Sequence, residues 1–272
     1  MAKKPSGASA SEMATGNTSG FPLFFTAPKP LELVRHGKAG LLPTPDVSFA
    51  ATTNSILING VEFVEAAKHY PIVFTQTELP LPVAVVGLEQ QNYFLDAKGH
   101  WQAESYIPAY VRKYPFIFME VPESREFVLC IDESASQYHE KVGKAAQALY
   151  EGSEPSAMTR NALEFCTAFH NHYVITRQFC TALKAAGVLM PVRSDAKLFN
   201  GREIHLSGFQ AIDEKKLNAL SDEKIIDFHK KGWLPLIYFA LMSSSNWKKL
   251  VDMAGEREST DRSLDRKGEN RL

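Results

Sequence analysis

The chain has 272 residues, with 30 lysines and arginines against 31 aspartates and glutamates, and 44% of the residues are hydrophobic. A chain of this size and composition can bury a sizeable core, which excludes disorder throughout. The formal net charge of −1 provides no excess of positive charge to collect phosphate groups, so no nucleic-acid partner is expected.

Both ends of the chain are predicted as disordered tails. Residues 1–20 are rich in Ser, Ala and Gly and contain no apolar segment typical of a secretory signal. Residues 255–272 mix acidic and basic side chains with few apolar ones. The longest apolar run, 233–242, contains Pro235 and is too short to cross a membrane. We therefore expect one domain, residues 21–254, no transmembrane segment and a cytoplasmic location.

A β-rich lobe is predicted for about residues 21–135. A short helix is expected from Val61 to Tyr70, because Pro71 pushes the residue before it out of the helical region. Further along, apolar segments bounded by proline, glycine or turn residues are typical of strands joined by tight turns. These segments predict an antiparallel sheet, and they are 72–74, 82–88, 116–121 and 127–131.

A mainly helical lobe is predicted for about residues 136–254. No proline or glycine interrupts 156–186, and apolar residues recur there at spacings of three and four, which predicts one long helix ending at Gly187. The dipeptide Asn200-Gly201 favours a β-hairpin turn. The fold class is therefore α+β, with an N-terminal antiparallel sheet lobe packed with the helical lobe.

Short helices are expected to close the second lobe. Asp213 and Ser221 are residue types that cap helix N-termini, because their side-chain oxygens accept hydrogen bonds from the first turn. Gly232 is placed to end the helix that follows Ser221.

The chain lacks the common motifs of hydrolases, NTPases, dinucleotide enzymes and zinc or thiol redox sites. We therefore expect no cofactor and no metal, and a non-catalytic protein is favoured over an enzyme. His170 and His172 fall in the long predicted helix, where they point about 200° apart and do not hold one metal together. The three cysteines, Cys130, Cys166 and Cys180, are expected to be core thiols.

Residues 90–118 form the part of the chain richest in aromatic side chains, interleaved with amides and basic residues. One interpretation is that the rings fill a core, with Arg112 and Lys113 at the surface. The other is a cleft or partner surface, because rings supply contact area while amides and a guanidinium fix orientation. For that second interpretation the candidate binding residues are Asn92, Trp101, Tyr106, Tyr110 and Arg112.

A distinctive segment, Tyr-Ile-Pro-Ala-Tyr-Val-Arg-Lys-Tyr-Pro-Phe, lies at 106–116, and further characteristic segments include 70–74, 206–209 and 232–234. Together these segments, in order between about residues 24 and 252, are similar to the SapC family of bacterial proteins, which are named for a surface-layer system. The resemblance implies an accessory role in surface-layer assembly or in envelope and nutrient-uptake systems, and it makes association with the cell surface an alternative to the cytoplasm.

Two hypotheses for function follow. The first is a non-catalytic protein that binds a protein partner or a small amphipathic ligand through the aromatic segment. The alternative is an enzyme of unrecognised type, with a site at the junction of the two lobes where Arg112 and His172 meet.

Overall fold

The computed structural model describes residues 20–44, 46–121, 126–143, 145–197 and 203–269, and for 193–197, 203–205 and 258–269 it describes the backbone alone. Its α+β class confirms the sequence prediction. Residues 1–19 of the tail predicted for 1–20, the last three residues and the predicted turns at 122–125 and Asn200-Gly201 lie outside the described residues.

The chain forms strands in both halves and its longest helices in the second half. In chain order the elements are β1 (Pro28–Pro30), α1 (Leu33–His36), β2 (Gly40–Leu41), β3 (Ser55–Leu57), α2 (Phe63–Ala66), β4 (Ile72–Thr75), β5 (Pro82–Val85), α3 (Ala109–Arg112), β6 (Phe116–Glu120), β7 (Phe127–Asp132), β8 (Tyr138–His139), β9 (Gln147–Ala148), β10 (Tyr150–Glu151), β11 (Glu154–Pro155), α4 (Ala157–Ala186), β12 (Leu189–Lys197), β13 (Glu203–Ile212), α5 (Glu214–Asn218), α6 (Asp222–Lys230), α7 (Leu234–Met242) and α8 (Asn246–Glu269).

The chain divides into two compact units, each made of two stretches of sequence. Unit 1 comprises residues 1–45 and 110–171, and unit 2 comprises residues 46–109 and 172–272. The boundary at 171/172 falls inside α4, so this helix contributes its first half to unit 1 and its second half to unit 2.

Unit 1 is built around a three-stranded antiparallel sheet in the order β1-β7-β6. Alternate residues of β6 and β7 point to opposite faces, as the period of two requires. Phe116 and Ile131 join one buried cluster with Leu149 and Cys166, and Ile117 and Cys130 join a second with Phe25. Both faces are therefore covered. The smaller sheet β8-β2-β9 and the hairpin β10-β11 complete the unit.

Unit 2 contains a five-stranded antiparallel sheet in the order β12-β13-β4-β5-β3. The predicted hairpin of the second half is confirmed, since β12 pairs with β13 from Leu189–Ile212 to Lys197–Glu203. β13 then pairs with β4 through Phe209 and Gln210. The hairpin thus extends a sheet whose other strands come from the first half of the chain.

The long helix α4 confirms the prediction closely. It begins at Ala157 and ends at Ala186, and Gly187 follows with φ of +67°. That left-handed conformation favours glycine, which has no Cβ to clash. In the second half of the helix Thr176, Phe179 and Leu183 are buried, because the three-and-four spacing places them on one face.

One of the two predicted N-caps forms its hydrogen bonds. Asp213 Oδ1 accepts from the backbone N–H groups of Lys215 and Lys216 at the start of α5. Ser221 is the N-cap residue of α6, but in the described structure its side chain makes no capping hydrogen bond. Gly232 follows that helix with φ of +70°. The helix predicted for 61–70 is shorter, because a 3-10 turn over 60–62 precedes the four residues of α2.

The C-terminal region has a helical backbone. Residues 255–269, which lie in the charged segment predicted as a tail, continue α8. Their acidic, basic and serine residues include no proline, and Glu, Lys and Arg are good helix formers. None of the helices described in the structure is long and apolar enough to span a membrane.

Candidate functional site

The five side chains predicted to bind a ligand or partner are divided between the units. Asn92, Trp101 and Tyr106 belong to unit 2, and Tyr110 and Arg112 belong to unit 1. Arg112 is exposed and Tyr106 is half-buried, whereas the other three are buried. The burial of the Trp101 and Tyr110 rings favours the core-packing interpretation for most of this segment.

Hydrogen bonds fix Trp101 and Tyr106 within unit 2. The indole N–H of Trp101 donates to Tyr70 Oη at 3.0 Å, and the Tyr70 hydroxyl donates to the carbonyl oxygen of Tyr106. The Trp101 ring also stacks on Phe94, with 6.4 Å between centroids and 18° between planes. These contacts give both residues a clear structural role, because they fix the loop that leads to α3.

A buried carboxylate, Glu62, ends the same network. Its Oε1 accepts from the Tyr106 hydroxyl at 3.0 Å and from the backbone N–H of Ala109 at 2.7 Å. Its Oε2 accepts from the backbone N–H of Asn59 at 2.7 Å, which is one half of a capping box. Three donors therefore replace the water that this charge loses on burial.

Asn92 stabilises the turn in which it lies. Its Oδ1 accepts a hydrogen bond from the backbone N–H of Phe94 at 2.9 Å, which is the geometry of an Asx turn. Its Nδ2 is buried and has no hydrogen-bond partner among the residues that the structure describes. Asn92 thus fixes the backbone that leads to the buried Phe94.

Unit 1 contains a buried cation, Lys113. Only 5% of this residue is exposed, and its Nζ lies 4.2 Å from the ring centroid of Tyr110, 4.8 Å from that of Phe169 and 5.4 Å from that of Phe25. Distances below about 6 Å are typical of cation–π contacts. Within the described part of the chain, no carboxylate forms an ion pair with this ammonium.

The prediction that Lys113 lies at the surface is therefore wrong, whereas the same prediction for Arg112 is correct. Lys113 follows Tyr110 by three residues at the single turn of α3. Residues at that spacing share a face of a helix. Because Tyr110 is buried, Lys113 lies on the same buried face. The spacing of three was the signal in the sequence that could have revealed the buried lysine.

Desolvation controls the ionisation of Lys113 and of the neighbouring thiol. Burial lowers the pKa of Lys113 to about 7, because a charged amine loses its hydration there. Burial likewise raises the pKa of Cys166 to about 11. At neutral pH the thiol is protonated and much of the amine is neutral, while the surrounding rings stabilise the remaining ammonium form.

Lys113 and Cys166 both line a cavity of about 330 Å³ in unit 1. Arg112, Gln147 and Asn161 also line it and are exposed, so the cavity reaches the surface. The Arg112 guanidinium carbon lies 5.3 Å from the ring centroid of Phe165. Most of the remaining lining is apolar and includes Leu41, Leu42, Pro43, Pro115, Phe116, Met158 and Ala162.

A second recess of unit 1, about 510 Å³, surrounds Arg35 and Glu133. These two side chains form a two-point ion pair. The buried His36 accepts the backbone N–H of Glu32 at Nδ1, which leaves Nε2 protonated to donate to Glu133 at 3.2 Å. The acid, the base and the imidazole therefore bind one another, and this cluster is structural.

The remaining chemical candidates of the sequence have structural roles or stay untested. The ring centroid of His170 lies 4.3 Å from that of Phe127 in unit 1, and burial lowers the pKa of His170. His172 is half-buried in unit 2. The three cysteines are free and buried, which confirms the prediction of core thiols. No group of three or more potential metal ligands occurs among the described residues.

Comparison with known proteins identifies a family. The family model SapC matches residues 31–250, which is well over half of the chain. No curated protein and no solved structure matches significantly.

Proposed function

Because the chain belongs to the SapC family, we propose that it is a non-catalytic binding protein, accessory to bacterial surface-layer assembly or to envelope and nutrient-uptake systems. Its ligand is a small amphipathic molecule with an apolar body and a carboxylate. The ligand occupies the cavity of unit 1, and Arg112 is its anchor.

The observation that carries this proposal is the cavity itself. Its volume of about 330 Å³ is at the lower end of the range of about 300–1,000 Å³ typical of ligand pockets. Half of its lining residues are apolar, and the others are Thr44, Tyr114, Gln137, Gln147, Asn161, Cys166 and Arg112 in addition to Lys113. Such a lining suits an aliphatic body with one polar end.

Arg112 supplies the charge that selects a carboxylate. Its guanidinium carbon lies 5.3 Å from the centroid of the Phe165 ring, another residue of the cavity wall. A planar guanidinium binds a carboxylate through two parallel hydrogen bonds. Of the five binding residues predicted from the sequence, this proposal retains Arg112 and assigns the buried Trp101 and Tyr110 to packing.

The proposal is tested by titrating the full chain with hexanoate in a calorimeter. Saturable binding is expected, and Arg112→Gln should weaken it by at least about tenfold, because a charge-assisted hydrogen bond contributes about 1.5–3 kcal/mol. Hexanol, which has no charge, should bind the wild type and this variant equally.

Arg177→Gln is the matched control. Arg177 also lies over an aromatic ring, at 5.8 Å from the centroid of Tyr173, but it belongs to unit 2 and does not line the cavity. This variant should bind hexanoate as the wild type does. Absence of saturable hexanoate binding, or equal weakening by both arginine substitutions, would contradict the proposal.

A further inference from the structure

Lys113 combines three properties that seldom occur together in one side chain. It is 95% buried, the described residues provide no carboxylate to neutralise it, and it lines a cavity that reaches the surface. A buried lysine with a purely structural role is normally paired with an acid. The arrangement around Lys113 therefore needs another explanation.

The surroundings of Lys113 favour an amine that acts as a nucleophile. Three rings, those of Phe25, Tyr110 and Phe169, exclude water from Nζ. Desolvation of a lysine in an apolar pocket produces the neutral amine, the form that attacks carbonyl carbon. The pKa of Lys113, lowered to about 7 by burial, makes about half of the amine neutral at neutral pH.

We propose that Lys113 binds an aldehyde with an apolar body as a reversible imine inside the cavity of unit 1. This inference rests on the proposed function for the cavity, but it adds a covalent step and a substrate class. The aldehyde's apolar body lies against the same wall of Leu41, Phe116 and Met158.

The step is a condensation that needs no further reagent. The lone pair of Nζ attacks the carbonyl carbon, the C–N bond forms, and the carbonyl electrons move to oxygen, which takes up a proton as nitrogen loses one. The resulting carbinolamine breaks its C–O bond and releases water, and C=N forms. One amine and one aldehyde give one imine and one water, without oxidation or reduction.

The neighbouring thiol does not compete in this reaction. The pKa of Cys166 is raised to about 11 by burial, so the thiolate, which is the nucleophilic form of cysteine, is scarce at neutral pH.

The experiment traps the imine. The full chain is incubated at neutral pH with hexanal and sodium cyanoborohydride, which reduces an imine to a stable hexylamine, and the modified lysines are located by peptide mass spectrometry. Lys113 should be modified at least about tenfold faster than the exposed Lys38 and Lys141 of the same unit, since an ordinary lysine with a pKa of about 10.4 is almost fully protonated. Peptide mapping separates these sites from the α-amino group.

Two further measurements make the result specific. The rate of modification at Lys113 should level off above about pH 7, whereas at exposed lysines it should continue to rise towards a pKa of about 10.4. Lys113→Met should lose the fast adduct while keeping the circular dichroism spectrum of the wild type. If that variant does not fold, the pH profile of the wild type is sufficient.

The outcomes separate this inference from the proposed function. Modification of Lys113 no faster than that of Lys38 would overturn the imine, even if hexanoate binds. Fast trapping at Lys113 without hexanoate binding would support the imine and contradict recognition of a carboxylate by Arg112. Protection of Lys113 by saturating hexanoate would support both.

Discussion

Glu62 in unit 2 and Lys113 in unit 1 are both about 5% exposed, yet their surroundings differ completely. Glu62 accepts three hydrogen bonds at 2.7–3.0 Å, from two backbone N–H groups and a tyrosine hydroxyl. Lys113 faces three aromatic rings, and no described acid pairs with it. A buried charge with all its hydrogen-bond partners stabilises the fold, whereas a buried amine surrounded by rings and without an acid is a candidate for chemistry.

The comparison predicts the largest effect on stability for Glu62→Ala. The substitution leaves the N–H groups of Asn59 and Ala109 and the hydroxyl of Tyr106 without their acceptor, and each buried unsatisfied group costs about 1–3 kcal/mol. The free energy of unfolding, measured by urea denaturation, should therefore fall by at least about 3 kcal/mol.

Glu65→Ala is the control for this measurement. Glu65 is exposed on α2 and pairs with Lys68 at the surface, so its loss should change stability by less than about 1 kcal/mol. If Glu62→Ala and Glu65→Ala lowered the free energy of unfolding equally, the hydrogen bonds of Glu62 would not stabilise the fold.

The second prediction concerns pH and Lys113. Its pKa is about 7 in the folded chain and 10.5 in its ordinary state, so between these values the unfolded chain binds a proton that the folded chain does not. Stability contributed by this group therefore rises with pH in that window. Relative to Lys113→Met, the wild type should gain up to about 1.4 kcal/mol per pH unit above neutrality.

Urea denaturation of both proteins at several pH values measures this difference, because the other titrating groups cancel between them. Lys38→Met, a change at an exposed lysine, is the control for the loss of a lysine side chain. If the difference in free energy of unfolding between wild type and Lys113→Met were constant from pH 7 to pH 10, Lys113 would keep its ordinary pKa. Its surroundings would then not differ from those of Glu62 in the way described above.

The third and smallest prediction tests the aromatic part of the unit 2 network. Trp101→Phe removes the donor to Tyr70 Oη as well as part of the ring. Trp233→Phe removes the same ring area at the same 9% exposure. The Trp233 indole contacts Phe179 and Lys231 but has no hydrogen-bond acceptor among the described residues. Trp101→Phe should cost about 1 kcal/mol more than Trp233→Phe, the contribution of one hydrogen bond.

Hexanoate binding extends the same test to function. Trp101→Phe should leave the affinity for hexanoate unchanged, since Trp101 does not line the cavity of unit 1. Weaker hexanoate binding in this variant would show that Trp101 contributes to ligand binding, as one interpretation of the sequence suggested.

Much of the fold could be predicted from local patterns. Spacing of apolar residues indicated α4 to within one residue of its start, and Gly187 marked its end. The pairing of β13 with β4 could not be predicted in this way, because Phe209 and Thr75 are far apart in sequence and sheet order depends on packing between distant segments. No helix was predicted at 255–269, where the backbone is helical, because this segment is rich in charged residues and poor in apolar ones.

The candidate site was predicted only in part. Arg112 was identified from its place in the aromatic segment, and the structure adds that it lines a cavity. Lys113 was assigned to the surface because lysine is seldom buried without a partner. Cys166 is 53 positions further along the chain, and its proximity to Lys113 depends on how α4 packs within unit 1.

The interleaving of the two units constrains how the protein is made. A ribosome adds about 5–20 residues per second, and β1 cannot pair with β7 until residue 132 has been added. Residues 46–109, which include the apolar strands β3, β4 and β5, are synthesised before residue 132. The edge of β4 that pairs with β13 stays unpaired until β13 has been synthesised. A nascent chain therefore exposes strand edges for many seconds, and we expect this protein to depend on chaperones that hold such segments during translation.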